Sequence, residues 1–356
     1  MIYSSPIQTT MTQAIYKRQS IPDLLKGISV LLMIQVHLME LFATPSLLDS
    51  SLGKVSLFLG GPPAAPLFMI VMGYFISFSK GIIPLIKRGF QLIGLGLLLN
   101  LLLNTHLLIK IFTGKFILNP WEYIFGVDIL FLAGISFLFI AGLYLLFRNK
   151  GILYLLTSVV IIISSTYIQP YLVTNNDLKY LLAYFGGNYT WSYFAFFPWV
   201  AYPLLGIAFK LLYHQLNGII KAKKGELIIT GALLLPLTLT SKWAIDVASN
   251  LQIYYHHDWL FFVWIISFTI VFTLSAKYIV LMFPQSNIVL FIKWIGKNVT
   301  AFYFIQWILI GNIATAIFKT QTLPQLLFWY ISILTVCVFF IRYVMKKQFN
   351  KNSYKS

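Results

Sequence analysis

The sequence predicts an all-α polytopic membrane protein of about ten transmembrane helices, with both termini cytoplasmic, and three observations carry that prediction. Hydrophobic residues make up 59% of the 356 and charged residues 10%, against roughly 45–50% and about 25% in a soluble domain. Apolar runs of roughly 20 residues recur along the chain, the length that crosses a bilayer as a helix, and the mean hydropathy is +0.83. The basic residues, finally, fall unevenly between those runs. A single cysteine, Cys337, leaves no disulfide framework and no multi-cysteine metal site.

Residues 1–20 contain no apolar core, so no cleavable signal peptide is expected, and they read as a polar cytoplasmic lead-in. The first run, near 21–44, is apolar on one face and ionisable on the other. The second, near 62–80, opens with Gly60, Gly61, Pro62, Pro63 and Pro66, which cannot begin an ordinary helix. Irregular backbone at that depth is tolerated only against protein or a wet cavity, and Ala64, Ala65 and Gly73 allow close helix approach. Runs near 82–104, 123–147 and 151–169 follow, the last two divided by Arg148 and Lys150. Runs near 194–216 and 226–249 are divided by Lys221, Lys223 and Lys224. Those near 258–283, 293–318 and 323–345 complete the set, leaving 346–356 as a basic cytoplasmic tail. With no internal repeat in sight, 21–345 reads as a single membrane domain.

Placing the amino terminus in the cytoplasm leaves only Lys54, Lys110, Lys115, Lys179, Lys242 and Lys319 outside; the other 20 of the 26 basic residues lie inside or at the inner edge. That bias obeys the positive-inside rule and supports the span count and the orientation together. Acidic residues run the other way, with Asp23 and Glu226 inside and Glu40, Asp49, Glu122, Asp128, Asp177, Asp246 and Asp258 outside or in the outer half. Basic charge spread between spans is a topology signal, and no nucleic-acid partner is expected. The outer segments are long and aromatic, notably 105–122 and 170–193, so an acceptor is expected to dock there. An interfacial aromatic belt is the competing reading of those rings.

The chemistry concentrates in the first run. Asp23, Lys26, His37, Glu40 and Thr44 share an arc of about 100° on a helix. Ionisable groups inside a span are costly and mark function by default. Lys26 and His37 stand about 16 Å apart along the axis, which puts the cation at the inner edge and the imidazole in the outer half. A cation there suits a phosphate-bearing donor; an imidazole at depth suits proton transfer, with Glu40 one turn away to orient it. The competing readings are a His–Glu pair that ties helices together and a snorkelling lysine.

These residues resemble the first span of the transmembrane acyltransferase superfamily, in which D-x-x-R-G/A is followed at this spacing by His. The segments GGPPAAPLFMIVMGYFIS, Lys87-Arg88, GVDILFLAGIS at 126–136 and FFPWVAYPLLGIAF at 196–209 are similar to its heparan-alpha-glucosaminide N-acetyltransferase-like branch, related to acyltransferase 3. GKNVTAFYFIQW at 296–307 is similar to that branch's G-x-N-x-x-x-x-Y-x-x-H element. Two departures stand out: Lys26 replaces the usual Arg and loses its bidentate fork, and Gln306 stands where relatives carry His. The outer loop after the first run holds Asp49 but no His.

The resemblance implies acyl transfer from cytoplasmic acyl-CoA, acetyl-CoA above all, to a sugar or glycan acceptor across the membrane. His37 would be the general base, Glu40 its orienting carboxylate, and Lys26, Lys87 and Arg88 the phosphate ligands. Asp23, Asp128, Tyr303 and Gln306 are further site candidates. A proton-coupled transporter or lipid-glycan flippase, with His37 and Glu40 as relay, is the alternative. No metal is expected: His256-His257-Asp258 reads as an exposed polar turn, with no third ligand nearby. Membrane lipids are the remaining partner, and a homo-oligomer stays open. Lysine supplies 22 of the 26 basic residues, as an AT-rich bacterial genome would, so a plasma membrane is expected.

Overall fold

Lipid offers a backbone no hydrogen-bond partner, so apolar runs of this length close their bonds internally as helices. The computed structural model describes residues 6–168, 178–220 and 223–353; Asp177, Lys221 and Lys355 of the charge count lie outside them. Among the described residues nine helices are long and apolar enough to cross a membrane, at Ser20–Phe42, Ser51–Ile76, Ile82–Leu103, Ile129–Phe147, Gly151–Ile168, Phe196–Tyr213, Trp259–Met282, Val299–Ile317 and Leu323–Val344. The pair Gly225–Leu239 and Ser241–Ser249, bent by 65°, makes a tenth when taken as one span. Numbered in chain order, with the bent pair seventh, these spans reproduce the expected all-α polytopic architecture.

The second span departs from its expected start near 62. Its helix begins at Ser51, where Ser50 Oγ accepts from Gly53 N at 3.2 Å. It breaks after Gly60 and resumes at Ala65. Lys54, counted among the outer basic residues, lies within this helix, and its side chain reaches Asp246 at 3.4 Å. The proline pair therefore interrupts the span instead of opening it. The carbonyl of Pro63, freed by the break, accepts from the buried Ser29 Oγ at 3.1 Å. The helix of the first span is also longer than expected, running Pro6–Phe42. Thr44 lies beyond its end, where its backbone N donates to Gln321 O at 3.0 Å, so the polar stripe stops at Glu40.

Two close crossings fix the frame. A Cβ on Gly27 would strike the carbonyl of Ile292, and one on Gly296 the carbonyl of Asp23, so the first span lies directly against the helix Asn287–Lys297. Gly73 and Gly206 do the same for spans two and six, facing Pro203 O and Ile70 O. Backbones this close leave no room for slippage, which holds Lys26 and His37 at fixed depth. Lys277 pairs with Glu226, whose other oxygen accepts from Tyr278 Oη at 3.2 Å. Each of these pairs joins residues that the charge count puts on one face.

Candidate functional site

A cavity of about 410 Å³ opens among the first, second, third and ninth spans and the loop before the fourth. His37 and Glu40 line it from one side, Asp128, Tyr303 and Trp307 from the other, and Tyr193, Tyr254 and Tyr255 reach it from the aromatic face. The imidazole of His37 lies against the indole of Trp307, ring centroids 3.9 Å apart and planes inclined by 33°. Its Nδ1 is buried without a partner among the described residues. No hydrogen bond joins His37 to Glu40, so the indole, not the carboxylate, seats the ring. Glu40 instead feels Lys319, at the mouth of the ninth span.

Asp128 is carried into the cavity by a loop that leaves helical geometry at membrane depth, and two asparagines make that possible. Asn100 Nδ2 donates to the carbonyls of Ile124 at 3.0 Å and Gly126 at 2.8 Å; Asn104 Nδ2 donates to Asn100 O at 3.0 Å and Tyr123 O at 3.3 Å. Carbonyls left bare in hydrocarbon would each cost several kcal/mol, on the order of the transfer cost of an amide. Asp128 Oδ1 then accepts from Leu130 N at 2.9 Å, as the N-cap of the fourth span, and from Tyr303 Oη at 2.7 Å.

A second cleft, of about 390 Å³, opens on the basic face and is lined by Lys26, Phe68, Met72, Phe75, Arg88 and Val299. Lys26 Nζ pairs with Asp23 at 2.8 Å and lies 5.5 Å from the centre of the Phe75 ring. The structure therefore brings Lys26 and Arg88 to one cleft. Lys87 is exposed and absent from its wall. Along four helices the two cavities are separated by only three to eight residues: Ala65 to Phe68, Tyr303 to Val299, Met33 to Lys26 and Ile129 to Phe137. That is a septum of about 5–12 Å at 1.5 Å per residue. Gln306 is fully buried one turn from Tyr303, with neither amide atom hydrogen-bonded among the described residues.

Two cavities thus lie back to back along the same four helices, one lined by Lys26 and Arg88 and the other by His37 and Glu40. Residues 18–237 match the family model of the heparan-alpha-glucosaminide N-acetyltransferase catalytic domain. The chain belongs to that family. It is thus a multi-pass membrane protein of an acetyltransferase family. No curated protein and no solved structure matches the chain. The family match spans Asp23, Lys26, His37, Glu40, Lys87, Arg88 and Asp128, whereas Tyr303 and Trp307 come from beyond it and complete the cavity.

One sequence expectation is corrected outright. The turn His256-His257-Asp258 is not an exposed polar turn, because His257 is 1% exposed. Its Nδ1 donates to Tyr254 O at 2.8 Å, so its Nε2 accepts from Tyr202 Oη at 2.8 Å. Asp258 caps the eighth span, its Oδ1 accepting from Phe261 N at 3.0 Å. Among the described residues no group of three or more His, Cys, Asp or Glu could hold a metal. Trp307 and the two asparagines were missed from sequence. Asn100 and Asn104 had a signal, two amides inside LIGLGLLLNLLLN; Trp307 had none, being one more aromatic in an aromatic-rich span.

Proposed function

We propose that the protein transfers an acetyl group from acetyl-CoA bound at the basic, cytoplasmic cleft to an amino or hydroxyl group of a sugar in the opposite cavity. The observation that carries this reading is the pair of cavities divided by a septum of one to two helical turns, short against the flexible arm that carries the thioester. Lys26 and Arg88 offer charge to donor phosphates. Asp23 holds Lys26 in place and takes no part in phosphate binding. In the reaction the acceptor N–H or O–H is aligned on His37; its lone pair attacks the thioester carbonyl, and the proton passes to the imidazole. The C–S bond then breaks, and CoA leaves as thiolate, regaining a proton on release. Tyr303 lines the acceptor cavity with its single O–H given to Asp128 Oδ1 at 2.7 Å; turning that proton to the carbonyl oxygen as charge develops there, in an oxyanion-type role, exchanges one acceptor for the other. Glu40, close to Lys319, binds the acceptor side rather than orienting the base.

Family membership separates this reading from the proton-coupled carrier that His37 and Glu40 alone would equally permit. The residence in a plasma membrane, rather than an internal one, is part of the proposal. Purified protein in sealed vesicles tests it, with radiolabelled acetyl-CoA outside and glucosamine trapped inside. Labelled N-acetylglucosamine should accumulate in the lumen. Uptake of glucosamine or protons without label transfer would sink the acetyltransferase reading in favour of transport.

A further inference from the structure

The acceptor cavity is bounded on one side by a lip made of the helix Thr105–Phe112, the loop that follows it and Phe318 at the end of the ninth span. Leu107, Phe116, Leu118 and Phe318 line the cavity. The same stretch turns Phe112 and Ile117 outward, 72% and 100% exposed, a bare apolar tip that belongs in the outer leaflet. Three of the six lysines that the charge count puts outside gather on this lip. Lys115 N donates to Lys110 O at 2.8 Å, Lys110 Nζ donates to Thr315 O at 3.4 Å, and Lys319 follows Thr315 by four residues. Lys110 and Lys319 lie over the rings of Phe116 and Phe318, at 5.1 and 5.7 Å. Among the described residues none of the three lysines forms an ion pair with a carboxylate.

We infer that this lip is a lateral portal, through which the acceptor enters from the outer leaflet while still joined through a phosphate to a lipid tail. The inference rests on the proposed acetyl transfer and names what carries the acceptor. A sugar arriving from water needs polar groups at the rim; this rim offers rings and aliphatic chains, which suit a hydrocarbon tail. Cations on the outer face run against the positive-inside bias, so three together on one lip call for a local anion. The phosphate of a lipid lies at the membrane surface, within reach of such lysines. Depth decides the rest. Lys319 N donates to Leu41 O at 3.0 Å, which sets this lysine four residues, or about 6 Å, beyond His37 along the first span. That is the width of a single sugar unit, so a phosphate at Lys319 leaves the attached sugar beside the imidazole. Glu40, one residue short of Leu41, keeps the phosphate from sinking deeper. Lys319 also holds φ at +54°, a conformation that glycine adopts more readily, yet the position carries a lysine.

The test uses full-length protein in phosphatidylcholine nanodiscs with acetyl-CoA and three acceptors. Glucosamine 1-phosphate has the phosphate alone, dodecyl glucosaminide the tail alone, and farnesyl glucosaminyl phosphate has both. The last should give the highest kcat/KM. Ile117→Glu, at a fully exposed position, should lower transfer to both tailed acceptors and leave glucosamine 1-phosphate unchanged. Lys319→Gln and Lys115→Gln should each lower the preference for farnesyl glucosaminyl phosphate over dodecyl glucosaminide by about 3- to 10-fold, a charge-assisted contact weakened by exposure. Occupancy is read without chemistry, by photocrosslinking a farnesyl glucosaminyl phosphate that bears a diazirine in its tail, with no acetyl-CoA present. Crosslinks at residues 116–118 or at Phe318 that the unlabelled probe displaces support the portal even if no acceptor is acetylated, in which case it is the proposed transfer that fails. Equal use of all three acceptors, unchanged in folded Ile117→Glu and Lys319→Gln, would overturn the portal while leaving the transfer intact. Displacement of the crosslink by phosphatidylglycerol as effectively as by the unlabelled probe would overturn it as well, marking the three lysines as a general anchor for anionic lipid.

Discussion

His37 and Trp307 meet ring on ring across the first and ninth spans, with centroids 3.9 Å apart. An imidazole seated against a tilted indole keeps its nitrogens free for substrate, which a hydrogen bond to a carboxylate would not. If His37 is the general base, His37→Ala should lower acetyl transfer by about 10² to 10⁴-fold while acetyl-CoA still binds. Trp307→Phe should keep most of the rate and Trp307→Ala should not, with the loss in kcat rather than in donor affinity. Near-normal transfer by a folded His37→Gln protein would remove the imidazole from the mechanism.

The bond from Tyr303 to Asp128 ties the ninth span to the head of the fourth. Removing the phenol leaves a buried carboxylate with one donor fewer, which costs about 1.5–3 kcal/mol for a charged partner. Tyr303→Phe should therefore lower both the thermal midpoint of the detergent-solubilised protein and the rate. Asp128→Asn should be milder than Asp128→Ala, because asparagine still caps the helix, and losing a cap altogether costs about 0.5–2 kcal/mol. Equal midpoints for the Asn and Ala variants would show that the cap contributes nothing.

What sequence could and could not show here divides along physical lines. Span number and the stripe of Asp23, Lys26, His37 and Glu40 are legible because both follow from local periodicity in one helix. The start of the second span is not, because Lys54, charged amid an apolar stretch, finds its partner only in Asp246, 192 residues along the chain. The burial of His257 is hidden for the same reason: its acceptor bond from Tyr202 crosses to another span. Lys87 and Arg88 are adjacent in sequence, yet successive residues on a helix diverge by about 100°, and only one of them can face the cleft.

That divergence yields the third prediction. Lys26→Ala and Arg88→Ala should each weaken acetyl-CoA binding by about 10- to 150-fold, the worth of a charge-assisted phosphate contact. Lys87→Ala should change it little, and Asp23→Asn should leave it equal or tighter by releasing Lys26 from its 2.8 Å pair. Calorimetric titration of the donor checks all four. Equal losses for Lys87→Ala and Arg88→Ala would show that the cleft is not where the phosphates sit.

The last prediction concerns acid. Burial lowers the His257 imidazole from 6.5 to about 4, and the ring sits in the turn before the eighth span, packed against Trp199, Tyr202 and Phe261. Its neutral form accepts from Tyr202 Oη, and protonation would turn that acceptor into a second donor facing the same hydroxyl. The unfolded chain binds this proton below about pH 6.5, whereas the folded chain resists it down to about 4. The stabilisation is therefore fully present above 6.5 and is lost as the pH falls through 4. At 1.36 kcal/mol per unit, the shift corresponds to about 3 kcal/mol. Neighbouring His256, also lowered to about 4 by burial, adds to the slope, while the Asp258 carboxylate opposes it by favouring the charged imidazole. Thermal midpoints measured from pH 7.5 to 4.5 should fall steeply for the wild type. His257→Gln, whose amide can still accept from Tyr202 and donate to Tyr254 O, should flatten the curve, and His256→Gln should flatten it less. A His257→Gln protein that tracks the wild type across the whole range would assign the acid sensitivity to other groups, His256 first among them.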